Sequence, residues 1–267
     1  MRNKDNRNTK SLLTMAQQII LHIPHSSTVI PFKEGYLVDD TTLEKEILKL
    51  TDWYTDDLFY SDDDAMIKAE FSRIFCDSER FAEDAQEIMA QFGMGVLYEK
   101  NDDGEVIRSI PPEIREHILN DYYRKHHKKL NDAVNDQLKR FGSALILDCH
   151  SFPNKPLKRD LDKRPGRPDF NIGTDPYHTP KHLIDVAKAF FENAGYTLGI
   201  DWPYNGSIVP LEHYHKNKNV QTIMLEINRS LYLEESGNEK STRYPEIKKI
   251  TSEFIHTIKN SILQQLL

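Results

Sequence analysis

Four short apolar runs, Ile19 to Ile23, Ile74 to Cys76, Ala144 to Leu147 and Thr222 to Ile227, are spaced along the chain, each too short to be a helix. Their content of Ile, Leu and Val suits strands buried on both faces. Helical patterns lie between and after them. Leu43, Ile47, Leu50, Tyr54 and Leu58 recur every three or four residues behind the capping candidates Thr41 and Thr42. Pro111 and Pro112 open a long stripe, from Ile114 and Ile118 through Leu130 and Val134 to Phe141, which Gly142 closes. A third helix is expected from Pro180 to Gly195, and a last one after Pro245 with Ile247, Ile250, Phe254, Ile258 and Ile262 in register. Strands alternating with helices of this length predict an α/β fold: a mostly parallel, mixed sheet flanked by helices on both faces. Residues 1–17, polar and basic, are expected to be a flexible tail, and residues 18–267 a single domain.

Composition narrows the partners. With 35 basic against 42 acidic residues the net charge is −7, which repels a nucleic-acid backbone. No apolar run approaches the ~20 residues of a membrane helix. Two cysteines, Cys76 and Cys149, cannot build a disulfide scaffold or a four-cysteine zinc site, and a reducing cytoplasm is the expected setting. The sequence carries no HExxH, P-loop or GxGxxG. It leaves the oligomeric state open.

In an open α/β sheet the ligand site lies beyond the carboxyl ends of the strands. Here those ends are polar. The first run leads into Pro24-His25-Ser26, the second into Asp77 with Arg80 close behind, and the third into Asp148-Cys149-His150-Ser151. The fourth contains Glu226 and continues to Asn228 and Arg229. A single histidine after a strand is ordinarily a hydrogen-bonded loop residue. Two of them with a carboxylate make the ligand set of a catalytic zinc that keeps one position open for water. A carboxylate such as Glu226 within an apolar strand is costly unless it is paired or functional. His126 and His127, among lysines, read as a solvated helix face. His213 and His215, two apart, would share one face of a strand, without a third ligand. The proline-rich segment Phe152 to Phe170, with six basic residues, reads as a surface loop that partly covers the site.

Seven motifs then occur in order. They are Leu21-His22-Ile23-Pro24-His25-Ser26, Thr51-Asp52-Trp53-Tyr54-Thr55-Asp56-Asp57-Leu58, Asp77-Ser78-Glu79-Arg80, Leu147-Asp148-Cys149-His150-Ser151, Pro168-Asp169-Phe170, Pro203-Tyr204-Asn205-Gly206 and Glu226-Ile227-Asn228-Arg229-Ser230-Leu231-Tyr232. Together they resemble the N-formylglutamate amidohydrolase family over Ile19 to Leu233. The resemblance implies a zinc-carboxypeptidase/phosphorylase-like sheet with one divalent metal ion, zinc, at its C-terminal edge. It also implies a small acidic substrate, N-formylglutamate being the type, cleaved to glutamate and formate.

Carried onto this chain, the resemblance puts His25 and His150 on the metal, with Asp52 as the third ligand ahead of Asp56. Glu226 becomes the general acid and base, and Arg73, Arg80, Asn205 and Arg229 the substrate-binding residues. The chain departs from the family pattern at Ser27, where a glycine is usual, and at Glu79, where an asparagine is usual. The position of the carboxypeptidase glutamate, three after the first histidine, is Thr28. Two other readings share these residues: a carboxypeptidase-like or cell-wall peptide amidase, and a non-catalytic anion-binding protein on the same fold.

Overall fold

The computed structural model describes residues 18–235 and 237–265; the expected tail over residues 1–17 lies outside them. The elements, in chain order, are strand β1 (Ile20–Ile23), helices α1 (Asp40–Leu50) and α2 (Thr55–Leu58), and strand β2 (Ala65–Lys68). There follow helices α3 (Pro112–Ile118) and α4 (Arg124–Phe141), strands β3 (Ala144–Phe152) and β4 (Phe170–Gly173), and helix α5 (Lys181–Asn193). Strands β5 (Leu198–Ile200) and β6 (Val220–Asn228) and helix α6 (Tyr244–Gln265) complete the fold.

The six strands form one sheet in the order β2-β1-β3-β6-β4-β5. Every neighbouring pair is parallel except β4 against β6. The sheet is therefore mixed, and helices cover both faces. On one face, Leu21, Leu147, Cys149, Leu225 and Ile227 pack against α2, α5 and α6. On the other, Ile20, Ile146 and Val220 pack against Leu130 and Val134 of α4.

The two-residue period of a strand decides where chemistry can sit. In β3 the face that buries Ile146 under α4 continues as Asp148 and His150. In β6 the neighbouring positions Thr222, Met224 and Glu226 pair with Ile146, Asp148 and His150. Half of this face is covered by a helix, and its C-terminal half turns polar and lines a cavity. Cys149 points the other way into the core.

Three sequence expectations change. Ile74 to Cys76 is not a strand but a buried turn, closed by Phe75 and Cys76 amides donating to the Ser72 carbonyl. Its apolar side chains serve the core without sheet pairing. The stripe from Leu43 to Leu58 is not one helix: α1 starts behind Asp39, whose carboxylate caps Thr42, and ends at Thr51. Tyr54 then takes φ 61°, a left-handed conformation sparsely populated by residues other than glycine. The break carries Asp52 out of the helix. Strands β2, β4 and β5 are too short and too mixed in composition to announce themselves. The long stripe after Pro111 is confirmed, with a π-helical turn over Leu119–Tyr123 between α3 and α4.

Phe191 of α5 stacks on Phe170 with ring centroids 4.3 Å apart and lies 5.0 Å from Phe254 of α6, so it ties both helices to β4. Phe191→Ala is expected to cost about 3–5 kcal/mol of unfolding free energy in urea titrations, the usual loss for a buried aromatic. A loss under about 1 kcal/mol would show that this cluster does not carry the packing of that face.

Candidate active site

The C-terminal edges of β1, β3 and β6 meet the break after α1, and there His25, Asp52, His150 and Glu226 converge. The Asp52 amide donates to the carbonyl of His25 at 3.0 Å, which fixes the two loops to each other. His25 Nε2 donates to Asp77 Oδ1 at 2.8 Å, and His150 Nε2 faces Asp148 Oδ1 at 3.2 Å and Glu79 Oε2 at 3.1 Å. Each ring is thus oriented from one side by carboxylate. The other nitrogens turn toward Asp52 Oδ2: His150 Nδ1 lies 3.1 Å from it and His25 Nδ1 3.6 Å. These ligand-type atoms all fall within 4.8 Å of one another.

Burial makes the electrostatics strong. All four residues are buried. Burial opposes the charge on Asp52, but the hydrogen bond from His150, the neighbouring His25 and the Arg229 charge hold its carboxyl well below the usual range. His150 lies well above its ordinary value, because Glu79, Asp148 and Asp52 outweigh the desolvation that opposes its charge. Burial and the Arg73 charge work against protonation of His25, and Asp77 and Asp52 still raise it. Glu226 behaves oppositely. Burial pushes it up to about 8 against the pull of His150 and Arg229, and its Oε2 is buried without a hydrogen-bond partner.

The donor set fits a divalent metal of the zinc type. Two imidazole nitrogens and a carboxylate oxygen converge, their other atoms are held by carboxylates and an arginine, and His25 Nδ1 is buried with no hydrogen-bond partner. Among the described residues a second group, His22, Glu79 and Asp148, also comes together. Its nitrogens are already engaged: His22 Nδ1 donates to Asp148 Oδ1 at 2.8 Å, and His22 Nε2 pairs with His126 Nε2 at 2.9 Å. Asp148 Oδ2 accepts from the Ile208 amide at 2.9 Å. This group stands behind His150 as its support.

The arginines divide. Arg229 donates to Asp52 Oδ1 at 2.8 Å, to the Lys49 and Ser151 carbonyls and to Ser151 Oγ. These contacts tie its guanidinium to the protein and give it the task of holding Asp52. Arg73 is bound through two nitrogens to Asp77 Oδ2. Arg80 lines the cavity, with its Nε 3.6 Å from Asp77 Oδ2 and its Nη1 3.6 Å from Glu87 Oε1, longer contacts than those that fix Arg73 and Arg229. Asn205 lies exposed on the cavity wall, and Asp56 makes a long contact with Lys68 without joining the site.

Two histidines correct the sequence reading. His126 and His127 are not a solvated face: His126 reaches His22, and His127 Nε2 donates to the Ser78 carbonyl at 2.8 Å. Burial lowers them to about 2 and about 4, so both are neutral. The signal was present in the spacing of four from His126 to Leu130 and Val134, which the adjoining lysines obscure. His213 and His215 lie in turns rather than a strand, with His213 Nε2 3.0 Å from Asn135 Oδ1. Asp77, at the end of the misread second run, emerges as the partner of His25. The loop between β3 and β4 lines the cavity through Leu157, Arg159 and Asp160 as expected. It is pinned by Arg167, which pairs with Asp160 at 2.5 Å.

In metal-free protein Glu226 gives a pH signature with a definite sign. Its folded value, about 8, lies above the ordinary 4.5, so its neutral form favours the fold below pH 4.5 and that contribution is lost as pH rises toward 8. The stability of Glu226→Gln relative to wild type should therefore increase between pH 4.5 and about 8 and then level off. A difference independent of pH in denaturant titrations would remove the raised value.

Comparison with known proteins identifies the family and the fold. The profile of the family described as N-formylglutamate amidohydrolase matches residues 17–233. An N-formylglutamate deformylase of Pseudomonas putida is 24% identical over 231 residues, 82% of each chain. The crystal structure of an N-formylglutamate amidohydrolase from Ralstonia eutropha JMP134 superposes with a TM-score of 0.82 at 22% identity, covering 94% of this chain and 95% of that one. A gene product of Agrobacterium tumefaciens gives a TM-score of 0.63 at 16% identity, covering 94% and 92%. Among the described residues no helix is long and apolar enough to cross a membrane. The chain belongs to the N-formylglutamate amidohydrolase family.

Proposed function

We propose that this protein is a zinc-dependent amidohydrolase that cleaves the amide bond of a small acidic N-acyl amino acid, with N-formylglutamate, cleaved to glutamate and formate, as the type substrate. The observation that carries the reading is the convergence of His25 Nδ1, Asp52 and His150 Nδ1 beside a buried, unpaired Glu226 carboxyl. The names of the relatives supply the substrate type. The arrangement supports a likeness to zinc carboxypeptidases, since the ligands stand at the C-terminal edge of parallel strands. Buried free thiols at Cys76 and Cys149 suit a cytoplasmic setting.

His25, Asp52 and His150 would hold the metal. Bound there, it supplies Lewis acidity, which lowers the pKa of a water and stabilises charge developing on the amide oxygen. The remaining work belongs to the chain. Glu226 accepts the proton of the attacking water at its free oxygen and returns it to the departing amine, which a group titrating near neutral pH does best. Arg80, which lines the cavity and is held only by longer contacts to Asp77 and Glu87, takes the substrate carboxylate, and Asn205 contacts the substrate at the cavity wall. Arg73 acts through Asp77, which orients His25. Arg229 acts through Asp52. A binding protein without turnover would have no use for a carboxyl kept unpaired at about 8, which speaks for the enzyme.

His25→Ala and His150→Ala should each abolish stoichiometric metal in elemental analysis. Glu226→Gln should keep the metal and lose about 10²-fold or more in kcat. Metal retained by both histidine variants would refute the ligand assignment, and near-normal kcat in Glu226→Gln would remove that residue from proton transfer. Arg80→Lys should lower kcat/KM about tenfold or more with metal unchanged, because lysine cannot form the planar two-pronged contact. An unchanged kcat/KM would exclude Arg80 as the clamp.

A further inference from the structure

The cavity above Glu226 encloses about 780 Å³. A cleft of roughly 300–1,000 Å³ suits a drug-sized ligand, and a formylated amino acid is far smaller than that. The surplus space has a definite character. Four large apolar side chains stand exposed on its walls: Phe81 at 39%, Ile88 at 59%, Leu161 at 63% and Leu211 at 58%. A scattered exposed leucine needs no explanation, but four exposed apolar side chains lining one cavity do. They come from four separate segments. Phe81 follows Arg80, Ile88 opens a short 3-10 helix, Leu161 belongs to the loop between β3 and β4, and Leu211 lies in the turn before β6. Met89 and Met94 also line the cavity, and their flexible thioethers adapt to varied apolar shapes.

We propose, resting on the hydrolase reading above, that the preferred substrate is an N-acyl amino acid bearing an apolar substituent of several carbons, seated among Phe81, Ile88, Leu161 and Leu211. The carboxylate is held by Arg80, next in the chain to Phe81, and the scissile amide lies at Glu226. The apolar substituent then occupies the space that a formyl amino acid leaves to water. Its burial against these side chains supplies binding energy that a smaller substrate cannot reach. The same chemistry arises in two ways, as a longer acyl chain or as an apolar amino-acid side chain, and the two are separated by experiment.

Two series test this on the metal-loaded enzyme: formyl, acetyl, butyryl and octanoyl glutamate, and the N-formyl derivatives of glutamate, leucine and phenylalanine. In at least one series kcat/KM should rise about tenfold or more from the smallest member to an apolar one, the scale of discrimination one methylene or more gives in an apolar pocket. The series that rises identifies the source. N-formylglutamate as the best substrate in both would overturn the proposal while leaving the hydrolase reading intact. Binding of the same compounds to Glu226→Gln is measured by calorimetry, so that the ranking is read without turnover. No hydrolysis of any compound, with apolar members binding tightest, would instead refute the hydrolase reading and uphold the apolar subsite. The double variant Ile88→Ser with Leu161→Ser should bring the ratio of the apolar to the formylglutamate kcat/KM toward one. An unchanged ratio would place the substituent elsewhere and refute this seat.

Discussion

Asp52 is the point on which the site turns. Its carboxylate, buried with both oxygens engaged, receives Arg229 on one side and faces His150 and His25 on the other. A buried ion is costly unless its partners are fixed beforehand, and removing one partner from such a pair strands the other charge out of water. The surrounding structure meets that condition. β3 runs nine residues so that Asp148 and His150 reach the cavity from the sheet, and α1 ends early so that Asp52 can leave it. Asp77 and Asp148 then hold the far nitrogens of His25 and His150. Three carboxylates, two imidazoles and two arginines, Arg73 and Arg229, form one network whose members orient one another. The left-handed Tyr54, two residues beyond Asp52, is the local backbone cost of that placement.

Within this charged frame Glu226 is the exception. It sits beside His150 in the β3–β6 register, yet its Oε2 makes no hydrogen bond. Under the proposed function, burial without a fixed partner is what leaves it free to exchange a proton with a substrate. The carboxylates bonded in the network are held ionised. One sheet edge therefore holds carboxyls shifted in opposite directions, set by whether each has a partner.

Much of this was legible in the chain. The polar endings of apolar runs located His25, Asp148, His150, Glu226 and Arg229, because strand ends in an α/β sheet face the ligand edge whatever the details of the strands. The helices after Pro111, Pro180 and Pro245 followed from their apolar periods. The run Ile74 to Cys76 misled because burial alone favours apolar residues, and only pairing distinguishes a strand from a buried turn. The break at Thr51 was hidden because Tyr54 and Leu58 continue the helical spacing while packing from a different element. His126 was hidden by its lysine neighbours. The division among the arginines was beyond the sequence: Arg229 and Arg80 look alike until the structure shows that one is hydrogen-bonded to Asp52 and Ser151 and the other makes only longer contacts, to Asp77 and Glu87.

The central claim is that His25, Asp52 and His150 form a metal centre. Anomalous diffraction from crystals of the purified, metal-loaded protein, recorded on both sides of the zinc absorption edge, tests it most directly. The account predicts one strong edge-dependent peak among His25 Nδ1, the Asp52 carboxylate and His150 Nδ1. A peak confined to His22, Glu79 and Asp148, or none at either place in protein of confirmed zinc content, would contradict it.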